Sequence, residues 1–423
     1  MASIRPFKGV RYNQAKVRSL DAVVAPPYDV ISPKDHRRYE DRHPNNVIRL
    51  ILPTDEGDKY QNAAACLNDW LDSGILVRDD EPCLYAIEEE FEVHGLRKKR
   101  LGFTCLMRLE DYERRTVLPH ENVLAGPRQD RLNLIRATRA NLDSVFGLCA
   151  DGRVEEALRP FLAATPDASA VDKNGVRTDL RRISDAQVIA TIARILEAEP
   201  IVIADGHHRY SAALAYRDEM RARTGDSDSD APHEFVMMTL VSMEDEGLVV
   251  LPTHRLVGNL ENFDAGTFCA RVGEFFEVTE SPPDRLIETV ESMDGHAFGL
   301  YLGNGRAYIL KLKPTVSPEQ VIDSPGSDAL KQLDVSVLHS LVLEKLLGIG
   351  DEHLSAQSHL SYERDETQAM QLVDRREYQM AFLMNAPRVE EVKAVAAAGD
   401  KMPQKSTFFY PKLLTGLVMR AMD

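Results

Sequence analysis

The residues of this chain best equipped for chemistry form the run Asp205-Gly206-His207-His208-Arg209-Tyr210. It follows Pro200-Ile201-Val202-Ile203-Ala204, a short apolar, β-branched stretch that reads as a strand buried on both faces, and it opens a helix expected from about His207 to Arg223. A strand that hands over through a glycine to a helix turns the first-turn backbone N–H groups outward at the strand's carboxyl end, where anions bind. Arg209 and two imidazoles crowd that positive end, a position that disfavours a cation by roughly 0.3–1 kcal/mol. A phosphate offsets the repulsion and accepts two parallel bonds from the guanidinium. The competing reading is internal: Asp205 caps the helix and pairs with Arg209, with no ligand needed. A metal held jointly by His207 and His208 is disfavoured, because neighbours on a helix point about 100° apart.

Three further segments carry usable groups. In Leu118-Pro119-His120-Glu121-Asn122-Val123 the proline holds the chain extended, so Glu121 can project from a loop as a general base toward a hydroxyl. His120 and the downstream Arg128 are candidate substrate contacts. Met402 to Lys412 contains Lys405-Ser406-Thr407, similar to the end of a Walker A loop but without its upstream G-x-x-x-x-G, so a P-loop is excluded. Lys405, Ser406 and Lys412 remain candidates for phosphate contact, level with the plainer reading of a solvated loop. Leu251-Pro252-Thr253-His254-Arg255 is a proline-stiffened strand entrance whose cationic pair is a further candidate for substrate binding.

The elements that must position these groups are legible from periodicity. Ala63, Ala64, Leu67, Trp70 and Leu71 fall at helical spacing and stop at Ser73-Gly74, with the Trp read as core. Residues 83–93 and 99–109 flank His94-Gly95 as a hairpin, and Val171 to Ile183 turns at Asn174-Gly175 as a second. Helices are expected over Pro127–Leu142, Val154–Leu162, Asp185–Glu197 and Val335–Leu347. Gly225 to Pro232 is small, acidic and ends in proline, a surface loop and candidate boundary. Mixed elements without strict alternation indicate an α+β fold.

The chain's 423 residues correspond to two or three domains at roughly 150 residues each. Its 51 basic against 67 acidic residues leave a formal charge of −16, a field that repels nucleic acids and anionic lipid unless a local basic patch overrides it. Five scattered cysteines without a C-x-x-C pair fit reduced thiols in the cytoplasm. No apolar h-region opens the chain and no 18 apolar residues run together, so neither export nor a membrane span is expected.

Taken together, Arg5 to Tyr12, Ala25-Pro26-Pro27-Tyr28-Asp29-Val30-Ile31, Leu118 to Glu121, Ala204 to Tyr210, Leu251 to Arg255 and Met402 to Lys412 resemble the prokaryotic family known as domain of unknown function 1015, over nearly the whole length. That family label implies no reaction. Residues 110–225 also resemble, more distantly, the ParB/sulfiredoxin superfamily, whose members carry a G-x-x-R phosphate-binding turn and include nucleotide-dependent kinases of free L-serine. Gly206, His207, His208 and Arg209 match that turn, and Glu121 falls where the serine kinases keep a catalytic Glu. His207 stands where sulfiredoxin has its reactive Cys, which argues against sulfinic acid repair. ParB's helix-turn-helix has no counterpart here.

The resemblance implies a ParB/sulfiredoxin-like nucleotide-binding domain over 113–225; the flanks, which have no counterpart in it, are read as an N-terminal α/β region over 1–112 and a C-terminal α/β region over 233–423 that contributes to the cleft. ATP or ADP is the expected nucleotide, and Mg²⁺ is expected with it because phosphoryl transfer needs charge neutralisation, with Asp205 as the candidate metal ligand. Gly206, His207, His208, Arg209, Lys405 and Ser406 are then expected at the phosphates, Glu121 and His208 in catalysis, and His120, Arg128, His254 and Arg255 at a small-molecule substrate. No nucleic acid or membrane partner is expected. The leading expectation is a kinase of a small hydroxyl metabolite, free L-serine first. The alternatives are a nucleotide-binding switch without catalysis and an RNA methyltransferase; the latter is disfavoured by the absence of a glycine-rich cofactor loop.

Overall fold

A computed structural model describes residues 1–54, 57–225, 229–350 and 358–422. The chain divides into two compact units: Met1–Pro119, Val123–Val249 and Pro411–Asp423 form the first, and His120–Asn122 with Val250–Tyr410 the second.

The first unit is built on a nine-stranded mixed sheet among the described residues. Its strands are β1 (Ile4–Arg5), β2 (Leu84–Val93), β3 (Leu96–Arg108), β4 (Val117–Leu118), β5 (Val145–Cys149), β6 (Ala168–Val171), β7 (Arg177–Ile183), β8 (Ile201–Asp205) and β9 (Phe235–Ser242). They lie in the order β4-β8-β5-β9-β3-β2-β7-β6, with β1 added to β3. β8 runs parallel to β4 and antiparallel to β5, while β9 runs parallel to β5 and antiparallel to β3. The β2–β3 hairpin turns at His94 and Gly95, both with positive φ, as a two-residue turn of the hairpin hand requires.

Period-two alternation divides the apolar residues between the two faces. Tyr85, Ile87, Phe235 and Met237 join one buried cluster, in which Trp70 packs. Leu84, Ala86, Val236, Met238 and Leu240 join the other. Helices α1 (Pro33–Arg42), α2 (Lys59–Asp72), α3 (Ala125–Thr138), α4 (Ala186–Leu196) and α5 (His207–Thr224) belong to this unit. The Asp185 side chain caps α4, accepting from the N–H groups of Gln187 and Val188.

The boundary expected at 112/113 from the resemblance and the one expected near the acidic loop from composition both fall within this sheet. β3 pairs with β9 and β2 with β7, so residues on both sides of 112/113, and the strand after the acidic loop, share one hydrogen-bonded ladder. The loop beginning at Gly225 lies inside a single unit, its residues 226–228 being outside the described residues. Small and acidic composition marks a turn of the chain; strand pairing across a hundred residues decides where a unit ends.

The second unit holds a six-stranded antiparallel sheet of β10 (His254–Val257), β11 (Phe276–Glu280), β12 (Ala297–Tyr301), β13 (Ala307–Leu312), β14 (Leu360–Glu363) and β15 (Met380–Met384), ordered β11-β13-β12-β15-β10-β14. β10 is thus an inner strand, paired with β14 on one side and β15 on the other. The helix expected over Val335–Leu347 begins as an α turn at Asp334–Val337 and widens into a π segment at Leu338–Glu344. There the Lys345 N–H reaches Ser340 O and the Leu347 N–H reaches Val342 O, each five residues back. No described helix is long and apolar enough to cross a membrane.

Candidate functional site

The Asp205-Gly206 turn lies where the sequence places it, between β8, whose residues 201–204 are buried, and the 18-residue α5. Gly206 is the residue before the helix and sits at φ +87, a left-handed conformation that glycine adopts without penalty. No side chain caps α5, so of the internal alternative the cap by Asp205 is not formed while its pairing with Arg209 is. Asp205 instead turns both oxygens to cations: Oδ2 accepts from Arg209 Nη2 at 3.0 Å, and Oδ1 lies 3.2 Å from Lys412 Nζ. Burial by itself would raise the Asp205 carboxyl; Lys412, Arg209 and His207 together hold it well below the usual carboxylate range.

Arg209 departs from expectation. It is buried, donates from Nη1 to the Ser144 carbonyl and from Nη2 to Asp205, and lies 3.6 Å from the carboxylate of Asp143. Burial alone would lower its pKa, but Asp143, Asp205 and Asp29 raise it above the ordinary guanidinium value, so the side chain stays charged. The negative partner demanded by the helix end is therefore supplied by the chain's own aspartates. The space behind Arg209, lined by Asp143, Arg131 and Asn141, is about 20 Å³, far below the several hundred Å³ that enclose a small ligand. Arg209 shapes the turn from beneath and is not presented to a phosphate. Beside it the Arg131 guanidinium stacks 3.9 Å from the centre of the Tyr28 ring.

A methyl group at Gly206 would meet both constraints at once. An added Cβ would stand 2.8 Å from Arg209 Nε and 2.9 Å from Cζ, and the guanidinium cannot yield without leaving its carboxylates. Gly206→Ala is expected to cost about 1–3 kcal/mol, read as a lower midpoint of thermal unfolding; an unchanged midpoint would mean that the turn is not built this way.

His207 is buried, whereas His208 is half-buried and its Nε2 accepts the N–H of Leu124, the residue preceding α3, at 3.0 Å. That acceptance places the proton of a neutral His208 on Nδ1. His208 thereby ties the start of α5 to the start of α3, and Leu132, Ile135, Ala212 and Tyr216 pack between the two helices. Arg128 is exposed on the first turn of α3.

The other expected site residues belong to the second unit. Glu121 bridges to Met402, and its Oε1 accepts the Lys405 N–H at 3.0 Å. His120 is buried, with Nε2 3.0 Å from Thr407 Oγ1. Ser406 is buried too, and its hydroxyl donates to the Pro403 carbonyl, so it serves the loop's own turn and is not offered to a phosphate. Lys405 keeps an exposed side chain. His254 and Arg255 are fully buried because β10 is an inner strand, and neither meets solvent as a substrate contact would. Burial, then Arg255, pushes His254 down to about 4, so its ring is neutral, with Nδ1 accepting the Met384 N–H.

Among the described residues no three His, Cys, Asp or Glu side chains are grouped to hold a metal ion. Asp205, expected as the magnesium ligand, has its oxygens committed to Lys412 and Arg209 and does not fit that part. Sequence reasoning passed over Asp143 and Ser144, which approach Arg209 only because β5 lies beside β8. The one available signal was an Asp-Ser pair directly before an apolar strand.

Residues 4–336 match the model of a family described as protein of unknown function (DUF1015). No curated protein matches. Among solved structures, a conserved hypothetical protein from Pyrococcus furiosus is 16% identical, with a TM-score of 0.35 and coverage of 72% of this chain and 92% of that one. A free serine kinase in complex with AMP is 14% identical, with a TM-score of 0.37 and coverage of 73% and 88%. SbnI from Staphylococcus aureus, truncated at its C-terminus, is 10% identical, with a TM-score of 0.35 and coverage of 74% and 86%.

Proposed function

Because this chain belongs to the DUF1015 family, whose description carries no reaction, we propose its function from its own residues: it binds a nucleotide and transfers a phosphoryl group to a small hydroxyl metabolite. Free L-serine is the first acceptor to test, because residues 110–225 resemble the free serine kinases and Glu121 falls where those keep a catalytic Glu. The observation that carries the nucleotide part is the Asp205-Gly206 turn, where a long helix without a side-chain cap starts at the carboxyl end of a buried strand with Lys412 beside it.

In this reading the phosphates lie against the amino end of α5, with His208 and Lys412 as side-chain contacts. Arg209, Asp205 and Asp143 hold the turn rigid beneath them. Glu121 is assigned to take the proton of the acceptor hydroxyl as the hydroxyl oxygen bonds to phosphorus and the bond to the departing nucleotide breaks. Since Asp205 does not fit a magnesium ion, no step is assigned to one, and charge neutralisation falls to the helix end and Lys412.

The test is phosphorus NMR of the protein with ATP or ADP and a panel of hydroxyl metabolites. A new phosphomonoester resonance that requires serine supports the proposal. Tight nucleotide binding without product from any acceptor supports the second reading, a nucleotide-binding switch. Failure to bind any nucleotide removes both.

A further inference from the structure

Among the described residues, Arg255 is a fully buried guanidinium without a carboxylate in ion-pair range. Other deeply buried arginines have acids: Arg100 pairs with Glu89, Arg131 with Asp130 and Arg217 with Asp111. The donors of Arg255 end on neutral groups: the Thr253 carbonyl, Met384 Sδ at 3.4 Å, His339 Nε2 at 3.5 Å and the Lys405 carbonyl at 3.3 Å. The Tyr362 ring stands 5.4 Å from its Cζ. His339 comes from the π segment, and burial, then Arg255, pushes it down to about 3, which keeps its ring neutral and able to accept. A buried charge surrounded by dipoles alone is costly, and such an arrangement persists where those dipoles must be held in place.

Lys405 is the dipole with a consequence. Its carbonyl accepts from Arg255 while its N–H donates to Glu121 Oε1 at 3.0 Å. Its φ is +57, a left-handed conformation that a lysine adopts only under constraint from its surroundings. Arg255 on one side and Glu121 on the other supply that constraint. We propose that Arg255 is a positioning residue for Glu121, acting through the backbone of Lys405: the guanidinium fixes the carbonyl, the carbonyl fixes the left-handed turn, and the turn aims the N–H at the carboxylate. Only the description of Glu121 as a base rests on the function proposed above; the positional coupling does not.

The test is amide hydrogen exchange in the full chain, comparing the residue 405 amide with those of Leu256 and Val257 in β10. Arg255→Met is expected to speed exchange at residue 405 by at least about tenfold, the order of one lost hydrogen bond, with the β10 amides unchanged. Arg255→Lys keeps a donor and is expected to restore part of the protection. It also serves if the methionine variant loses β10 protection through unfolding. In the background of Glu121→Ala, which removes the same bond, Arg255→Met should add little, whereas independent effects would multiply. Unchanged exchange at residue 405 in a folded Arg255 variant, or multiplicative effects in the double variant, overturns the coupling. Should the wild-type protein show no phosphotransfer, the role of Glu121 as a base falls while the exchange data still decide the positional claim.

Discussion

Glu121→Gln is expected to lower phosphotransfer to serine by roughly 10²–10⁴-fold, the usual worth of a positioned general base, while leaving nucleotide affinity within about twofold. Glutamine keeps a side-chain oxygen for the Lys405 N–H, so the link between residues 121 and 405 survives and the loop keeps its shape. What is lost is the ability to take up a proton at that position. Single-turnover formation of phosphoserine, followed alongside nucleotide binding, separates the two effects. Equal turnover by both proteins would remove Glu121 from the chemistry, and lost nucleotide binding would make it a structural residue.

The second large effect concerns stability. Arg209→Met takes the hydrogen-bonded cation from Asp205, leaving it Lys412 and His207, and takes the nearby cation from Asp143, both in the interior of the first unit. Removing one member of a buried ionic cluster typically costs about 3–5 kcal/mol, which for a unit of this size corresponds to a fall of roughly 6–20 °C in Tm. The dependence on pH has a definite sign. The Asp205 carboxyl is held below its unfolded value, so its contribution is complete above about pH 4 and fades as the pH falls through the lower, folded value. The stability gap between wild type and Asp205→Asn should therefore be constant near neutrality and close below pH 4. A gap that widened on acidification would contradict the ionised assignment of Asp205.

What local sequence conveys and what it omits can be seen at these same residues. β8 and α5 were legible because an apolar β-branched run, a glycine and a helical pattern follow one another without interruption. Two of the partners of Arg209 were not. Asp143 and Ser144 lie more than sixty positions upstream and arrive through the pairing of β5 with β8, which no local pattern encodes. A surplus of positive charge at a helix end, and Asp205 as its internal partner, can be read from the local sequence, whereas the second aspartate, Asp143, cannot. His254 and Arg255 show the reverse difficulty: a strand following Pro252 reads as a surface entrance, and only its place between β14 and β15 buries both side chains. Ser406 looked like a phosphate contact because of its neighbours in the chain, whereas its hydroxyl is spent within its own turn.

The strip Pro411–Asp423 returns to the first unit after the chain has built the second. It brings Lys412 to Asp205, pairs Met419 with Val10 and Arg420 with Asn141, and sends the Arg420 guanidinium to the Phe235 carbonyl. On the ribosome, then, the larger unit waits for some 160 intervening residues to be translated before its final strip is available. The charge compensation around Asp205 is completed only once Lys412 has been made, so the turn at Gly206 carries an incompletely compensated arrangement while the second unit is being translated.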